Sequence, residues 1–119
     1  MYPDLDFTPA AVLLTRVISR TGENRMTLDL GTKACASDPP AGDRMKFPDL
    51  PDAREVLQNE EHLVLETEQA ARYEPGDELF AIPRHICPTT ALHKLVFVVR
   101  DGRVVTTWDV VARDRRLTV

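Results

Sequence analysis

Along this chain apolar residues recur at every second position or in short unbroken runs, and turn residues divide the runs at short intervals. That pattern favours strands over helices. Ala11 to Arg20 (AVLLTRVISR) is rich in β-branched residues and too continuous for an amphipathic helix, which predicts a strand with much of both faces covered. Thr21-Gly22-Glu23-Asn24 is turn chemistry, and Arg25 to Leu30 alternates polar and apolar up to Gly31, so the two runs form a hairpin. Ala53 to Gln58 suits a helix or a strand equally. Leu63 to Thr67 predicts a strand, Glu74-Pro75-Gly76-Asp77 a tight turn, and Glu78 to Ile82 another strand. Thr89 to Lys94 predicts one helical turn. Asp101-Gly102, set between Leu95–Arg100 and Arg103–Val111, is a strong type I′ hairpin signal. Six or seven short strands with little helix mean an all-β fold. Closure into a small β-barrel or a packed sandwich would protect its edges.

Two stretches break the pattern. Tyr2 to Pro9 holds prolines that bar a regular helix and reads as an extended lead-in. Residues 36–52 carry four prolines among acids and a glycine, which predicts a long irregular connection with a functional or interface role. Composition adds bounds rather than detail. The 119 residues, 43% hydrophobic and 29% charged, suffice for one core without metal or disulfide staples. A net charge of −4 gives no general attraction to nucleic acid or anionic membrane. Arg113-Asp114-Arg115-Arg116 is a short, interrupted basic cluster and reads as a solvated tail. No apolar run approaches a membrane span and the first ten residues are acidic, so a cytoplasmic location is expected. Cys35 and Cys87 alone do not imply a disulfide framework.

The candidate chemistry gathers in Pro83-Arg84-His85-Ile86-Cys87-Pro88-Thr89. In extended backbone His85 and Cys87 would project to the same side, and an imidazole with a thiolate suits Zn²⁺ better than Mg²⁺ or Ca²⁺. Two ligands do not fill a tetrahedral shell, so such a site stays open to water and substrate. Taken alone, the pair reads more readily as a small buried cysteine beside a surface histidine. Glu60-Glu61-His62 reads as a solvated turn before a metal cluster, lacking the His-Glu-x-x-His spacing. Lys33, Lys46 and Lys94 are the only lysines and none adjoins a glycine-rich phosphate loop, so complete covalent catalysis by this chain alone is not expected.

Five stretches in order resemble the C-terminal domain of the D-threonine aldolase and D-serine dehydratase family. They are Leu28-Asp29-Leu30-Gly31-Thr32-Lys33-Ala34, Glu60-Glu61-His62, Pro75-Gly76-Asp77, Pro83 to Thr89, and Val104 to Arg113. The resemblance runs from about Ala11 to Arg116, and Tyr2 to Phe7 resembles the entry into this domain in aldolase-like members. The family is similar to alanine racemase: a (β/α)₈ barrel carries pyridoxal phosphate on a lysine, and a β-rich domain follows. The resemblance therefore implies that residues 1–10 are a lead-in from an absent N-terminal barrel and 11–119 the C-terminal β domain.

It also implies that His85 and Cys87 are the metal ligands, with His85 carrying the catalytic role. A divalent ion, zinc or alternatively manganese, would grip the β-hydroxyl of a D-β-hydroxy amino acid for retro-aldol cleavage or dehydration. Lys33 is not the cofactor lysine and takes a structural or interface role. The implied partners are that substrate, the barrel and a second copy in a homodimer, with neither nucleic acid nor membrane among them. The alternative is a non-catalytic β-module for oligomerisation. Under both, the chain alone is inactive.

Overall fold

The computed structural model describes residues 6–114, 116 and 118. Eight strands are present among them: β1 (Leu13–Gly22), β2 (Arg25–Leu28), β3 (Met45–Lys46), β4 (Arg54–Gln58), β5 (Leu63–Glu66), β6 (Glu78–Pro83), β7 (Leu95–Arg100) and β8 (Arg103–Asp109). One helix, α1 (Ile86–Ala91), and two 3₁₀ turns complete the regular structure. The all-β reading is thus correct, and Arg54–Gln58 resolves as a strand. Tyr2 to Leu5 of the lead-in and Arg115 of the basic tail lie outside the described residues. None of the helices is long and apolar enough to cross a membrane, among the described residues.

Six strands form one antiparallel sheet in the order β3-β6-β1-β2-β5-β4, curled into a half-barrel. Bulges help it curl: the β1–β2 register shifts between Val17 and Ser19 and again between Arg20 and Gly22, and β4–β5 shifts between Glu55 and Leu57. The concave face buries Val17, Met26, Leu28, Leu63, Leu65, Leu79 and Ala81 at alternating positions of their strands. Leu30, Cys35, Phe47 and Leu50 fill the same core from the connections. The proline-rich stretch 36–52 is accordingly no mere surface loop. It carries Met45, Phe47 and Leu50 inward and adds β3 to the sheet through Met45↔Pro83 and Lys46↔Ile82.

The expectation of β1 covered on both faces needs correction. Thr15 and Val17 are buried, but Leu14 and Ile18 on the outer row are exposed. Leu14 pairs with Phe80 of β6, which is exposed too, because nothing among the described residues layers over that face. β2 is also shorter than expected. It stops at Leu28 because the next residue, Asp29, turns its carboxylate back to β1, where Oδ1 accepts from Thr15 Oγ1 and the Arg16 amide, each at 2.7 Å.

The outermost strands, β3 and β4, are joined by a side chain rather than a ladder. Glu55 of β4 lies opposite buried Leu65, so it points to the concave side. Its Oε1 accepts the backbone N–H of Arg44 at 2.9 Å and of Met45 at 2.6 Å. Arg44 in turn donates from its guanidinium to Gln58 Oε1 at 2.8 Å, and Gln58 Nε2 reaches Leu30 O. The second Glu55 oxygen is buried with no hydrogen-bond partner among the described residues.

The hairpin of β7 and β8 forms a separate two-stranded sheet. Asp101 (φ 50°) and Gly102 (φ 72°) both take left-handed conformations, as a type I′ turn demands. Phe97 is 68% and Trp108 62% exposed, and they face opposite ways, since Trp108 pairs with Val96. Among the described residues the hairpin is thinly covered: Val96 and Val98 are half-buried on one face, while Leu95, Phe97 and Val99 on the other are exposed.

Gly31, after β2, has backbone where a side chain would go: a Cβ there would meet Glu60 O at 2.0 Å and Glu61 N at 2.3 Å. That closeness lets Thr32 N bond Asn59 O and Lys33 N bond Glu60 O, tying the β2 exit to the β4–β5 turn. Gly31→Ala is expected to cost roughly 3 kcal/mol, the upper end of overpacking, read as a lower urea midpoint at unchanged m.

Burial pushes the Glu55 carboxyl above its ordinary value of 4.5, while the Met45 and Arg44 amides pull it down. A raised carboxyl favours the folded state when protonated. Its contribution is complete below 4.5 and is lost as pH rises through the raised value. Glu55→Gln has nearly the same shape and no titration, so the stability difference between wild type and variant should change sign-consistently in wild type's favour on acidification from neutral pH towards 4.5. Urea unfolding at a series of pH values measures it, and a pH-independent difference would refute the assignment. Asp52 and Glu66, both held below the usual carboxylate range by hydrogen bonds, work in the opposite direction and lose their contribution at lower pH.

Candidate metal centre

β6 carries the chain to Pro83 on the concave side, and the next residues leave the sheet. Arg84 N donates to Arg44 O at 2.8 Å, and the Arg84 guanidinium pairs with Asp43. His85 is the N-cap of α1, with extended backbone (φ −123°, ψ 97°). Helix begins at Ile86, three residues before the expected turn at Thr89. Pro88 does not prevent this, because it stands in the first turn, where an amide hydrogen would have no helical partner anyway.

Cys87 therefore lies on a helix rather than on extended chain, and the alternation argument for convergence with His85 does not hold. Both side chains nonetheless sit at one junction, where the strand exit becomes the helix. The reading of Cys87 as a small buried residue is also overturned. Cys87 is exposed, and the buried thiol is Cys35. Burial raises the Cys35 pKa, so this thiol stays protonated, and its Sγ lies 3.8 Å from Thr89 Oγ1.

Thr89 organises the junction. Its hydroxyl donates to His85 O at 2.8 Å and accepts the Ala36 N–H at 3.1 Å, while the residue itself is buried. One turn further on, His93 Nε2 donates to Ala34 O at 2.8 Å. The segment 34–36 is thus fastened along α1 and its C-terminal end. Two residues beyond Ala36, Asp38 Oδ2 accepts a hydrogen bond from His85 Nδ1. His85 Nε2 has no hydrogen-bond partner among the described residues. No spacing signal announces Asp38, which is 47 positions from His85 and meets it only through the fold.

The other candidates resolve as surface chemistry. Lys33 Nζ lies 2.6 Å from Glu61 Oε1 and 3.1 Å from Glu60 Oε2, all three exposed. These hydrogen bonds hold its ammonium above the usual lysine range. Glu60-Glu61-His62 is a solvated turn, exposed throughout. Among the described residues, no group of three or more His, Cys, Asp or Glu side chains is placed to hold a metal ion. The donor set at the junction is an imidazole with Nε2 open and an exposed thiol. One nitrogen and one sulfur donor are of the kind a zinc-like ion takes, and the remaining positions of such an ion would have to come from water or another body.

Residues 10–99 match the family model of the putative serine dehydratase domain. An uncharacterized protein of Mycobacterium tuberculosis is 36% identical over 115 residues, covering 94% of this chain and 86% of that protein. D-threonine aldolase of Arthrobacter sp is 33% identical over 114 residues, covering 92% of this chain but 28% of the aldolase. The crystal structure of D-threonine aldolase from Filomicrobium marinum superposes with a TM-score of 0.76 at 28% identity, over 86% of this chain and 28% of that one. D-threo-3-hydroxyaspartate dehydratase from Delftia sp. HT23 shares the fold, with a TM-score of 0.68 at 23% identity over 82% of this chain and 31% of that one. The chain spans under a third of these enzymes. Taken with the half-barrel sheet and the strand-to-helix junction, these matches show that the chain belongs to the putative serine dehydratase domain family and resembles the C-terminal domain of enzymes such as D-threonine aldolase.

Proposed function

We propose that this chain is the metal-binding C-terminal domain of a pyridoxal-phosphate lyase acting on D-β-hydroxy amino acids, with residues 11–119 forming the domain. The observation that carries this reading is the 33% identity to D-threonine aldolase over nearly the whole chain, with His85 and Cys87 both exposed at one junction. D-threo-3-hydroxyaspartate dehydratase has also been solved as a cysteine-to-alanine variant in a metal-free form. His85, through Nε2, and Cys87, through its thiolate, would hold the divalent ion. Bound there, the ion supplies Lewis acidity to a substrate hydroxyl, and the cofactor, carried on a barrel, supplies the electron sink for bond cleavage.

The chain's own residues do the remaining work. α1 and β6 fix the two donors on a rigid junction instead of a free loop. Only two protein ligands leave positions for water and substrate, as a catalytic rather than structural ion requires. Exposed Leu14, Ile18 and Phe80 on the outer sheet face, with the open β7–β8 hairpin, give the domain an apolar surface to set against a larger body. That same surface favours a second reading, a β-module whose task is oligomerisation.

A chimera separates the two. With this chain replacing the matching 28% of the Arthrobacter aldolase, D-threonine cleavage should be measurable and should fall at least 100-fold in His85→Ala, with pyridoxal phosphate loading unchanged. Full activity of a folded, cofactor-loaded His85→Ala chimera would eliminate the metal-centre reading in favour of the module. The chain by itself should give no turnover, and should bind Co²⁺ with a thiolate charge-transfer band that Cys87→Ala abolishes.

A further inference from the structure

We propose that Asp38 is a positioning residue for His85: its carboxylate holds the imidazole as the Nδ1–H tautomer and so offers Nε2 to the metal. The proposal rests on the metal-centre reading above and extends it to a residue outside the His-x-Cys pair.

Neutral imidazole has one donor nitrogen and one acceptor nitrogen, and the bond made by one decides the state of the other. A carboxylate can only accept, so His85 Nδ1 carries the hydrogen, and in the neutral ring Nε2 then keeps its lone pair. A metal-ligating histidine ordinarily gives its second ring N–H to a carboxylate or carbonyl in this way. His93 shows the opposite assignment within the same junction. Its Nε2 faces the Ala34 carbonyl, which accepts, so the hydrogen sits on Nε2.

The placement of Asp38 is built rather than incidental. On its N-terminal side, Ala36 N is bonded to Thr89, whose hydroxyl also bonds the backbone of His85. On its C-terminal side, Asp43 pairs with Arg84 and Arg44 O accepts the Arg84 amide. Arg44 Nε, in addition, donates to Pro39 O at 3.2 Å. The short span holding Asp38 is therefore tied at both ends to residues flanking His85. Pro39 and Pro40 follow at once, which confines Asp38 to extended backbone and fixes φ in the next two residues. Asp38 and His85 side chains are each about half exposed, 51% and 48%, so their pairing adds little to stability. What it supplies is orientation.

Long-range ¹H–¹⁵N correlation spectra of the chain report each histidine tautomer directly, with His93 as an internal reference that should stay Nε2–H throughout. His85 should be the Nδ1–H tautomer in the wild type and in Asp38→Asn, whose amide oxygen still accepts, and should move to Nε2–H in Asp38→Ala. Co²⁺ titration should show affinity about 10- to 100-fold weaker in Asp38→Ala, the usual cost of losing such a partner, and partly restored in Asp38→Asn. An unchanged His85 tautomer in Asp38→Ala, with the remaining amide spectrum native, overturns the proposal. So does a tautomer change with no loss of Co²⁺ affinity. If the tautomer moves but even the wild type binds no Co²⁺, the Asp38–His85 bond stands and the metal reading beneath the proposal has failed.

Discussion

The Glu55 carboxylate is the constraint on which the shape of this domain depends. A six-stranded antiparallel sheet has two free edges, here β3 and β4, and each exposes unpaired backbone groups. Continuous hydrogen bonding could join them only if the sheet curled into a full barrel. Instead, one side-chain oxygen takes two backbone hydrogens from the start of β3, and the Arg44–Gln58 pair reinforces the link. A carboxylate suits this because it can accept several bonds at one atom. Its burial is unfavourable, as the upward displacement of its pKa shows. The half-barrel is closed by an acid held in a place it would otherwise avoid.

That closure explains why the proline-rich stretch matters to the site. Residues 36–52 run from the core at Cys35 and Ala36, past Asp38, to the edge strand at Met45. Both ends are anchored independently, one by Thr89 and the other by Glu55 and Arg84. The loop thereby becomes a strap between the sheet edge and the base of α1. His85 sits where strap and helix meet, held by its carbonyl on one side and by its ring on the other.

Much of the fold was legible because its cues are local. The Asp-Gly pair fixes the β7–β8 turn, the Pro-Gly order fixes the turn at Glu74–Asp77, and period-two runs mark the strands. Cues failed where one residue serves two roles. The stretch around Cys87 was read as extended, yet Pro88 occupies the one helical turn that tolerates it and the helix starts at Ile86. The apolar run of β1 looked doubly buried, although its outer row has no cover among the described residues. The site was half legible. His85 and Cys87 stand out through residue type and spacing. Asp38, Thr89 and Arg44 reach the junction only through contacts that span long stretches of sequence, and no periodicity encodes those. The choice between Cys35 and Cys87 as the buried thiol likewise depends on three-dimensional packing.

The thinly covered hairpin makes the domain uneven in its resistance to opening. A two-stranded ribbon with no fully buried residue has little apolar burial to set against the entropy of ordering it. Its ladder amides should therefore open to solvent exchange through local fluctuations, long before those of Met26, Leu28 and Leu65 in the closed sheet. Whatever body covers Phe97 and Trp108 would raise that local opening energy, so protection of the β7–β8 amides reports on docking at a surface remote from the sheet's own core.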